Sequence, residues 1–330
     1  MKLFVLGVSR SGTTLLHQIL STHSELAGIC ETEILKRYRQ NSEIDELLNH
    51  LPLTDEEGVV VRRFFKNYSS DATLTKWQVL DYYCQAHQVY FGVNGYVEKS
   101  PAHSYFVQEI LAEIADSKII FMLRDPRANI ASKNYARHSR GEKIGLPKFL
   151  QFCLNLSEII NINRYLESQL VESDRNRLMI IHYEEIVLNT ETTMRSVLDF
   201  AGLPFERSYE NIKPKDMRMS AWGSAGMKNS SFVESKVRHK DESGNVEFTS
   251  AYIQSNTIES QLLDHWRKRL SKSHEKIITK VITLLCPATA VYYDLKCEVS
   301  SLDKLFINVF SIFSKIEHKI FLFRNYRICK

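Results

Sequence analysis

The chain has 330 residues, of which 44% are hydrophobic and 25% are charged, and its formal net charge is +4. This composition excludes an intrinsically disordered chain, and the length is sufficient for one large domain or two smaller ones. The positive excess is too small for a general nucleic-acid binder, although a local basic face could still attract an anionic ligand.

The cysteines and the N-terminal residues bear on the cellular compartment. The six cysteines are scattered and form no Cys-x-x-Cys pair, which favours reduced thiols over zinc ligands or disulfides. Only Met1 and Lys2 precede the first predicted strand, so the sequence predicts neither a leader nor an anchor at this end. No window reaches the ~18 unbroken apolar residues of a spanning helix. We therefore expect a cytoplasmic protein.

The first predicted elements are a strand, a glycine loop and a helix. The apolar run 3–6 precedes the loop 7–14, Gly-Val-Ser-Arg-Ser-Gly-Thr-Thr, and apolar residues at helical spacing follow it. Such a loop turns backbone N–H groups toward one point at a helix N-terminus, which suits phosphate. A nucleotide-hydrolysing loop of this spacing has lysine after its second glycine, where this chain has Thr13. We expect the anion to be held by backbone amides, Arg10 and the hydroxyls of Ser11, Thr13 and Thr14, with another cation supplied from elsewhere.

The next predicted strand, within residues 25–33, ends in two carboxylates, Glu31 and Glu33. If this strand pairs beside the first one, as consecutive parallel strands often do, its end opens on the same edge as the glycine loop. One of the two carboxylates then faces the ligand. The alternative is that they cap the helix that starts near Ile34, and the residues alone fit both interpretations equally.

Residues 42–92 predict an aromatic-rich helical insertion that interrupts the alternation of strands and helices. Segments inserted above the ends of parallel strands often shape the substrate pocket, so we assign this block to acceptor recognition. Ordinary helix packing explains most of its apolar side chains equally well.

A short strand at 95–97 leads into Glu98-Lys99-Ser100-Pro101. Its position at a strand end makes Lys99 a candidate for the missing cation. The alternative is a solvated lysine with no role in binding.

The run 118–123 is the clearest strand of the sequence, and its apolar character predicts a central position that is buried on both faces. Arg124 follows at once, and the next helix carries Ser132 about two turns further on. A forked guanidinium and a hydroxyl make a second anion site, and nearby cations deepen its positive field, namely Lys133, Arg137, Arg140 and Lys143. The alternative is that Arg124 pairs with Asp125. Two anion sites at two strand ends imply a ligand that is phosphorylated at two separated positions.

The remaining chain continues the alternation of helices and strands. The pattern predicts a helix at 148–170, a strand at 177–181, a helix at 190–201 that Gly202 closes, and further helix at 258–285. Between these last two, the polar segment 222–232 predicts a mobile loop that could close on a ligand.

The last residues, 304–330, predict an amphipathic helix with an apolar stripe and a basic component. The stripe consists of Leu305, Val309, Ile312, Phe313, Ile316, Ile320 and Phe323. Such a helix can lie on an anionic membrane. We favour docking on the protein's own core or on a second copy, as in a homodimer, over peripheral membrane contact.

The motifs resemble those of the sulfotransferases that use 3′-phosphoadenosine 5′-phosphosulfate, abbreviated PAPS. Residues 9–15 resemble the loop that binds the 5′-phosphosulfate, and residues 124–132 resemble the segment that binds the 3′-phosphate. Supporting matches occur in the expected order between residues 3 and 295, at 98–101, 183–184, 200–205 and 229–232. The resemblance implies a P-loop-like three-layer α/β/α domain with a central parallel sheet over residues 1–300 and a helical extension at 301–330.

The resemblance also implies roles for individual residues. One branch of the family has a histidine two residues after the lysine, where this chain has Pro101. The branch similar to tyrosylprotein and carbohydrate sulfotransferases has a glutamate as general base, and this favours Glu31 over Glu33. Arg10 and Lys99 would stabilise developing charge during in-line attack on the sulfur. The donor-binding residues implied are Ser9, Arg10, Ser11, Gly12, Thr13, Thr14, Arg124, Ser132, Tyr183, Ser230, Ser231 and Lys236.

The sequence therefore predicts transfer of a sulfuryl group from PAPS to a hydroxyl of a small molecule, lipid or carbohydrate, with 3′,5′-ADP as product and no metal or nucleic acid. A nucleotide kinase shares the glycine loop, but the loop lacks lysine, and Arg124 stands where an acidic magnesium partner is expected. A non-catalytic nucleotide-binding module is the remaining alternative.

Overall fold

The computed structural model describes residues 1–32, 34–38, 44–49, 51, 53–68, 74–139, 147–169, 176–212, 258 and 263–326. Several predicted residues lie outside these ranges: Glu33, Ser230, Ser231, Lys236 and the segment 222–232.

Five strands in the described part of the chain form a parallel sheet with the order β2-β3-β1-β4-β5. The apolar side chains of the first four strands are mostly buried, as expected for a parallel sheet that helices cover on both faces, whereas Leu178, Met179 and Ile180 of the fifth are half-buried. This arrangement confirms the predicted α/β class. The strands are β1 (Lys2–Gly7), β2 (Leu26–Cys30), β3 (Gly95–Lys99), β4 (Ser117–Leu123) and β5 (Leu178–His182).

The predicted pairing of β2 with β1 is wrong, because β3 lies between them. β3 pairs in parallel with β1 on one side and with β2 on the other, with Cys30 opposite Lys99. A glycine permits this insertion at the start of β3. A Cβ at Gly95 would lie 2.7 Å from Met1 Cβ and 3.0 Å from Leu26 Cδ2, so a larger residue would push the strands apart.

Helices connect and flank these strands. They are α1 (Thr13–Thr22), α2 (Ile34–Arg37), α3 (Ile44–Asn49), α4 (Asp55–Tyr68), α5 (Lys76–Phe91), α6 (Val107–Glu113), α7 (Pro126–Ser139), α8 (Lys148–Gln169), α9 (Tyr183–Leu188), α10 (Thr190–Ala201), α11 (His265–Arg269), α12 (Lys272–Leu285), α13 (Pro287–Tyr292) and α14 (Ser301–Tyr326). A short 3₁₀ helix, Pro101–Tyr105, follows β3. None of the described helices combines the length and the apolar character that crossing a membrane requires.

The chain divides into two compact units. The first consists of Met1–Leu6, Gly12–Met122 and Asn176–Glu259, and it contains the sheet with α1 to α6, α9 and α10. The second consists of Gly7–Ser11, Leu123–Arg175 and Ser260–Lys330, and it contains α7, α8 and α11 to α14.

The predicted helical insertion is present as α3, α4 and α5. A capping box starts α5, because Thr75 and Gln78 each accept a hydrogen bond from the other's backbone N–H. The helix packs on β2 and β3, and Trp77 and Tyr83 are buried there. These two aromatic side chains belong to the core of the first unit, and the acceptor role of the insertion stays a prediction.

Candidate active site

The N-terminus of α1 is shaped by a glycine that no other residue could replace without strain. Gly12 is the N-cap residue and has φ +94°, in the left-handed region. A Cβ at this position would also clash with Cδ2 of the Tyr183 ring. The structure thus brings Tyr183 from α9 against the glycine. The first turn of α1 contains no acidic residue, and its N–H groups suit an anion.

The preceding loop residues are joined to the segment after β4 by hydrogen bonds within the second unit. Arg10 Nε donates to Ser132 Oγ at 3.1 Å, and Arg124 Nη1 donates to the Arg10 carbonyl at 3.0 Å. The loop itself is closed by a bond from Ser11 N to the Val8 carbonyl. Two cationic side chains and a serine, predicted separately at two strand ends, are therefore neighbours.

The Ser11 hydroxyl tests whether these residues fit an anionic ligand. Its side chain is buried, and within the part of the chain that the structure describes its Oγ has no hydrogen-bond partner. A buried polar group without a partner is costly and calls for an explanation. An oxygen of a phosphate or sulfate could accept the Ser11 hydrogen, so the residues present fit such a group.

The Asp125 carboxylate accepts from Arg127, whose guanidinium Nη2 lies 2.7 Å from Asp125 Oδ2. Lys133 is buried, and its Nζ pairs with Glu158 Oε2 at 2.6 Å. Lys133 thus links α7 to α8, and the carboxylate offsets part of its charge.

A second group of predicted residues meets in the first unit, where β2 and β3 end. Lys99 Nζ donates to Glu31 Oε1, and Glu31 N donates to the Lys99 carbonyl at 2.8 Å. The Lys99 side chain is 2% exposed, which excludes the solvated alternative, whereas the Glu31 side chain is 31% exposed. The helix at 34–37 receives its cap from Thr32, because Ile34 N donates to Thr32 Oγ1. Glu31 is therefore held by a cation and accessible to solvent.

Backbone strain marks two of the predicted catalytic residues. Among the described non-glycine residues, four have positive φ: Arg10 at 74°, Glu31 at 43°, Asp116 at 59° and Asp294 at 49°. Aspartate tolerates this region, but long side chains enter it less readily. Such strain costs on the order of 1–3 kcal/mol and tends to cluster at functional sites.

Sequence reasoning missed a buried polar cluster beside Lys99. Glu98 is fully buried and accepts hydrogen bonds from Ser100 Oγ at 2.6 Å and His103 Nδ1 at 3.2 Å. His17, on α1, is also fully buried, and burial together with the nearby Lys99 charge lowers its pKa to about 3. The available signal was the pair Glu98-Lys99 within one strand. Because successive side chains of a strand point to opposite faces, a glutamate beside a buried lysine lies on the other face and needs polar partners of its own there.

A parallel sheet whose first strand enters a glycine loop and then a helix defines an α/β protein of the phosphate-binding-loop class. Within this class, residues 2–207 match the model of the Sulfotransferase family. The chain therefore belongs to the sulfotransferase family, which confirms the resemblance read from its motifs.

Two curated relatives are similar over the same part of the chain. A protein-tyrosine sulfotransferase of Drosophila melanogaster is 24% identical over 208 residues, which is 62% of this chain and 38% of the relative. Protein-tyrosine sulfotransferase 2 of Gallus gallus is 23% identical over 210 residues, 61% of this chain and 51% of the relative. The chain thus spans about half or less of the length of these relatives.

Two solved structures share the fold. The sulfotransferase domain from the Synechococcus PCC 7002 olefin synthase aligns with a TM-score of 0.50 and 20% identity, over 82% of this chain and 88% of that domain. The sulfotransferase domain from the curacin biosynthetic pathway aligns with a TM-score of 0.51 and 21% identity, over 86% and 97% respectively. At these identities the likeness concerns the fold alone.

Proposed function

We propose that this chain transfers a sulfuryl group from PAPS to a hydroxyl group of an acceptor. When bound, PAPS supplies the sulfuryl group, which an acceptor oxygen takes in an in-line displacement that leaves 3′,5′-ADP. The observation that carries the proposal is the hydrogen bond from Arg10 to Ser132, two residues 122 positions apart in the chain. It joins the motif expected to contact the phosphosulfate to the motif expected to contact the 3′-phosphate.

The donor is held by cations, hydroxyls and backbone amides. Arg124 and Ser132 bind the 3′-phosphate, for which a forked guanidinium is well suited. Arg10 contacts the phosphosulfate, and the Ser11 hydroxyl gives its hydrogen to one of the anionic oxygens. The first turn of α1 adds its N–H groups and the Thr13 and Thr14 hydroxyls. Of the other predicted donor residues, Ser9 lies in the glycine loop, and Tyr183 packs its ring against Gly12.

Glu31 acts as the general base and removes the proton from the acceptor hydroxyl. This role requires a carboxylate within hydrogen-bond reach of the bound acceptor, and the partial exposure of Glu31 supports it. Lys99 holds the carboxylate in place through the ion pair. As a buried cation, Lys99 also stabilises negative charge that develops during transfer.

The acceptor is a hydroxyl of a small molecule, a lipid, a carbohydrate or a tyrosine side chain. Tyrosine is included because the curated relatives carry the name protein-tyrosine sulfotransferase. Acceptor classes can be compared by incubating the chain with labelled PAPS and one representative of each.

Donor recognition is tested first, without any acceptor. We expect 3′,5′-ADP to bind more tightly than 5′-AMP by about tenfold to a hundredfold. This ratio corresponds to the free energy that hydrogen bonds to a charged group contribute. Arg124→Ala should remove most of this difference, as measured by titration calorimetry. Equal affinities of the two nucleotides in the unsubstituted protein would contradict PAPS as donor, and magnesium-dependent ATP turnover would favour the kinase alternative.

The base is tested by Glu31→Gln, with Glu113→Gln on an exposed surface of α6 as the matched control. We expect Glu31→Gln to lower transfer by about 100-fold or more, the usual contribution of a general base, while 3′,5′-ADP affinity stays within about twofold. Glu113→Gln should change neither quantity. Near-normal turnover in Glu31→Gln would show that another group is the base.

A further inference from the structure

The C-terminal helix α14 presents an exposed apolar surface, which we call the apolar face. At 100° per residue its members fall within an arc of about 120°. Their exposed fractions range from 46% for Ile320 to 76% for Leu302. The apolar face consists of Leu302, Leu305, Phe306, Val309, Ile312, Ile316, Ile320 and Phe323.

The opposite side of the helix is already docked within the second unit. Ile307 and Phe310 are buried where α14 packs on α8. Ser314 Oγ donates to Asn161 Oδ1 of α8 at 3.0 Å, and Asn161 Nδ2 donates to the Ser314 carbonyl at 3.0 Å. These contacts fix the rotation of the helix about its axis. The helix thus docks on α8 of its own unit, but through a side other than most of the predicted stripe, which faces outward.

The charges along the exposed side of α14 are of one sign. Lys304, Lys315 and Lys319 are exposed, and at 100° per residue Lys319 and Lys315 lie about 20° and about 60° from one edge of the apolar face. The two acidic residues of the helix are engaged within the unit. Asp303 Oδ2 accepts from Lys280 Nζ at 2.6 Å, and Glu317 Oε2 accepts from Ser157 at 3.0 Å.

We propose that the apolar face of α14 binds the surface of an anionic lipid bilayer, with the helix lying flat in the interface. A helix with Phe and Leu on one face and Lys beside it has the composition of interfacial helices. With 26 residues it extends about 39 Å, enough for several lipid contacts along its length.

Charge complementarity favours a bilayer over a second copy of the chain. If two copies met through the apolar face, the exposed lysines of both helices would lie near the same interface. The two carboxylates on the described part of this helix, Asp303 and Glu317, already have partners within the unit, so the helix offers those lysines no further carboxylate. Anionic headgroups would instead pair with the lysines while the acyl region covers the apolar side chains.

The experiment measures binding of the full chain to vesicles of phosphatidylcholine with and without phosphatidylglycerol, by co-sedimentation. We expect binding to the anionic vesicles that weakens with salt, and much less to the zwitterionic ones. Lys315→Gln/Lys319→Gln should weaken it by roughly 25-fold, about fivefold for each lysine. The control Lys66→Gln/Lys148→Gln removes two exposed lysines elsewhere and should have no effect.

A second variant, Val309→Ser/Ile312→Ser, removes apolar contacts and should weaken vesicle binding at least tenfold. Both variants should bind 3′,5′-ADP as the unsubstituted chain does, so the result does not depend on the proposed reaction. Equal binding to the two vesicle types, no binding to either, or equal effects of the two lysine pairs would overturn the proposal. A dimer in sedimentation velocity that Val309→Ser/Ile312→Ser dissociates would assign the face to a second copy instead.

Discussion

Replacing Gly12 by alanine should destabilise the first unit and disturb donor binding, because two separate costs act at this residue. Its φ of +94° is a conformation that L-residues other than glycine rarely adopt. In addition, the new Cβ would overlap Cδ2 of Tyr183, whose ring is itself buried. Alanine has no side-chain rotamers, so a change of rotamer cannot relieve either cost.

The magnitude follows from these two contributions. Placing an L-residue in the left-handed region costs on the order of 1–2 kcal/mol. Forcing an extra carbon into a packed contact costs typically about 1–3 kcal/mol. We therefore expect Gly12→Ala to lower the free energy of unfolding by about 2–5 kcal/mol.

Two matched variants separate the contributions. Gly92 has φ +63° with no atom within 4 Å of an added Cβ, so Gly92→Ala should show only the backbone cost. In a background of Tyr183→Ala the clash is absent, and Gly12→Ala should there cost about as little as Gly92→Ala. Stabilities are measured by urea unfolding, and 3′,5′-ADP affinity by calorimetry. The reasoning fails if Gly12→Ala costs no more than Gly92→Ala, or if the effects at Gly12 and Tyr183 are additive.

Two further predictions concern pH. Burial and the Lys99 charge lower the pKa of His17 from 6.5 to about 3, so the folded state excludes a proton that the unfolded chain binds. The free energy of unfolding should therefore fall by about 2 kcal/mol between pH 6.5 and 4.5, and His17→Gln should remove that part of the slope in denaturant titrations. Burial raises the pKa of Glu317, so keeping this carboxylate charged in the folded state is unfavourable at neutral pH. Glu317→Gln should therefore raise the melting temperature at pH 7, and the gain should shrink as the pH falls toward 4.5, whereas a gain that is constant with pH would contradict this cause.

Elements with strong local signals could be predicted from the sequence. The loop from Gly7 to Thr14 lies between a strand and a helix as expected, since a glycine with positive φ marks the junction. The helix at Thr190–Ala201 ends at Gly202, whose φ is +75°. In each case the preference of a few neighbouring residues decides the conformation, so no knowledge of the fold is needed.

Packing between distant segments could not be predicted in the same way. The apolar pattern of β2 fits any neighbour in a parallel sheet, whereas its pairing with β3 involves a close approach at Gly95 that a larger residue would crowd. Likewise, the pattern of α14 identifies an apolar stripe but not which side docks. That choice depends on polar partners such as Ser157 and Asn161 on α8.

For the candidate site, the sequence determined which chemical groups are present: a glycine loop, arginine and lysine at strand ends, and a carboxylate after the second strand. The tertiary structure decided which of these groups meet. Arg10 reaches Ser132, Glu31 pairs with a buried Lys99, and Gly12 packs against Tyr183. The physical reason is that side-chain type fixes what a residue can bind, whereas contacts between residues far apart in the chain depend on how the sheet and helices pack.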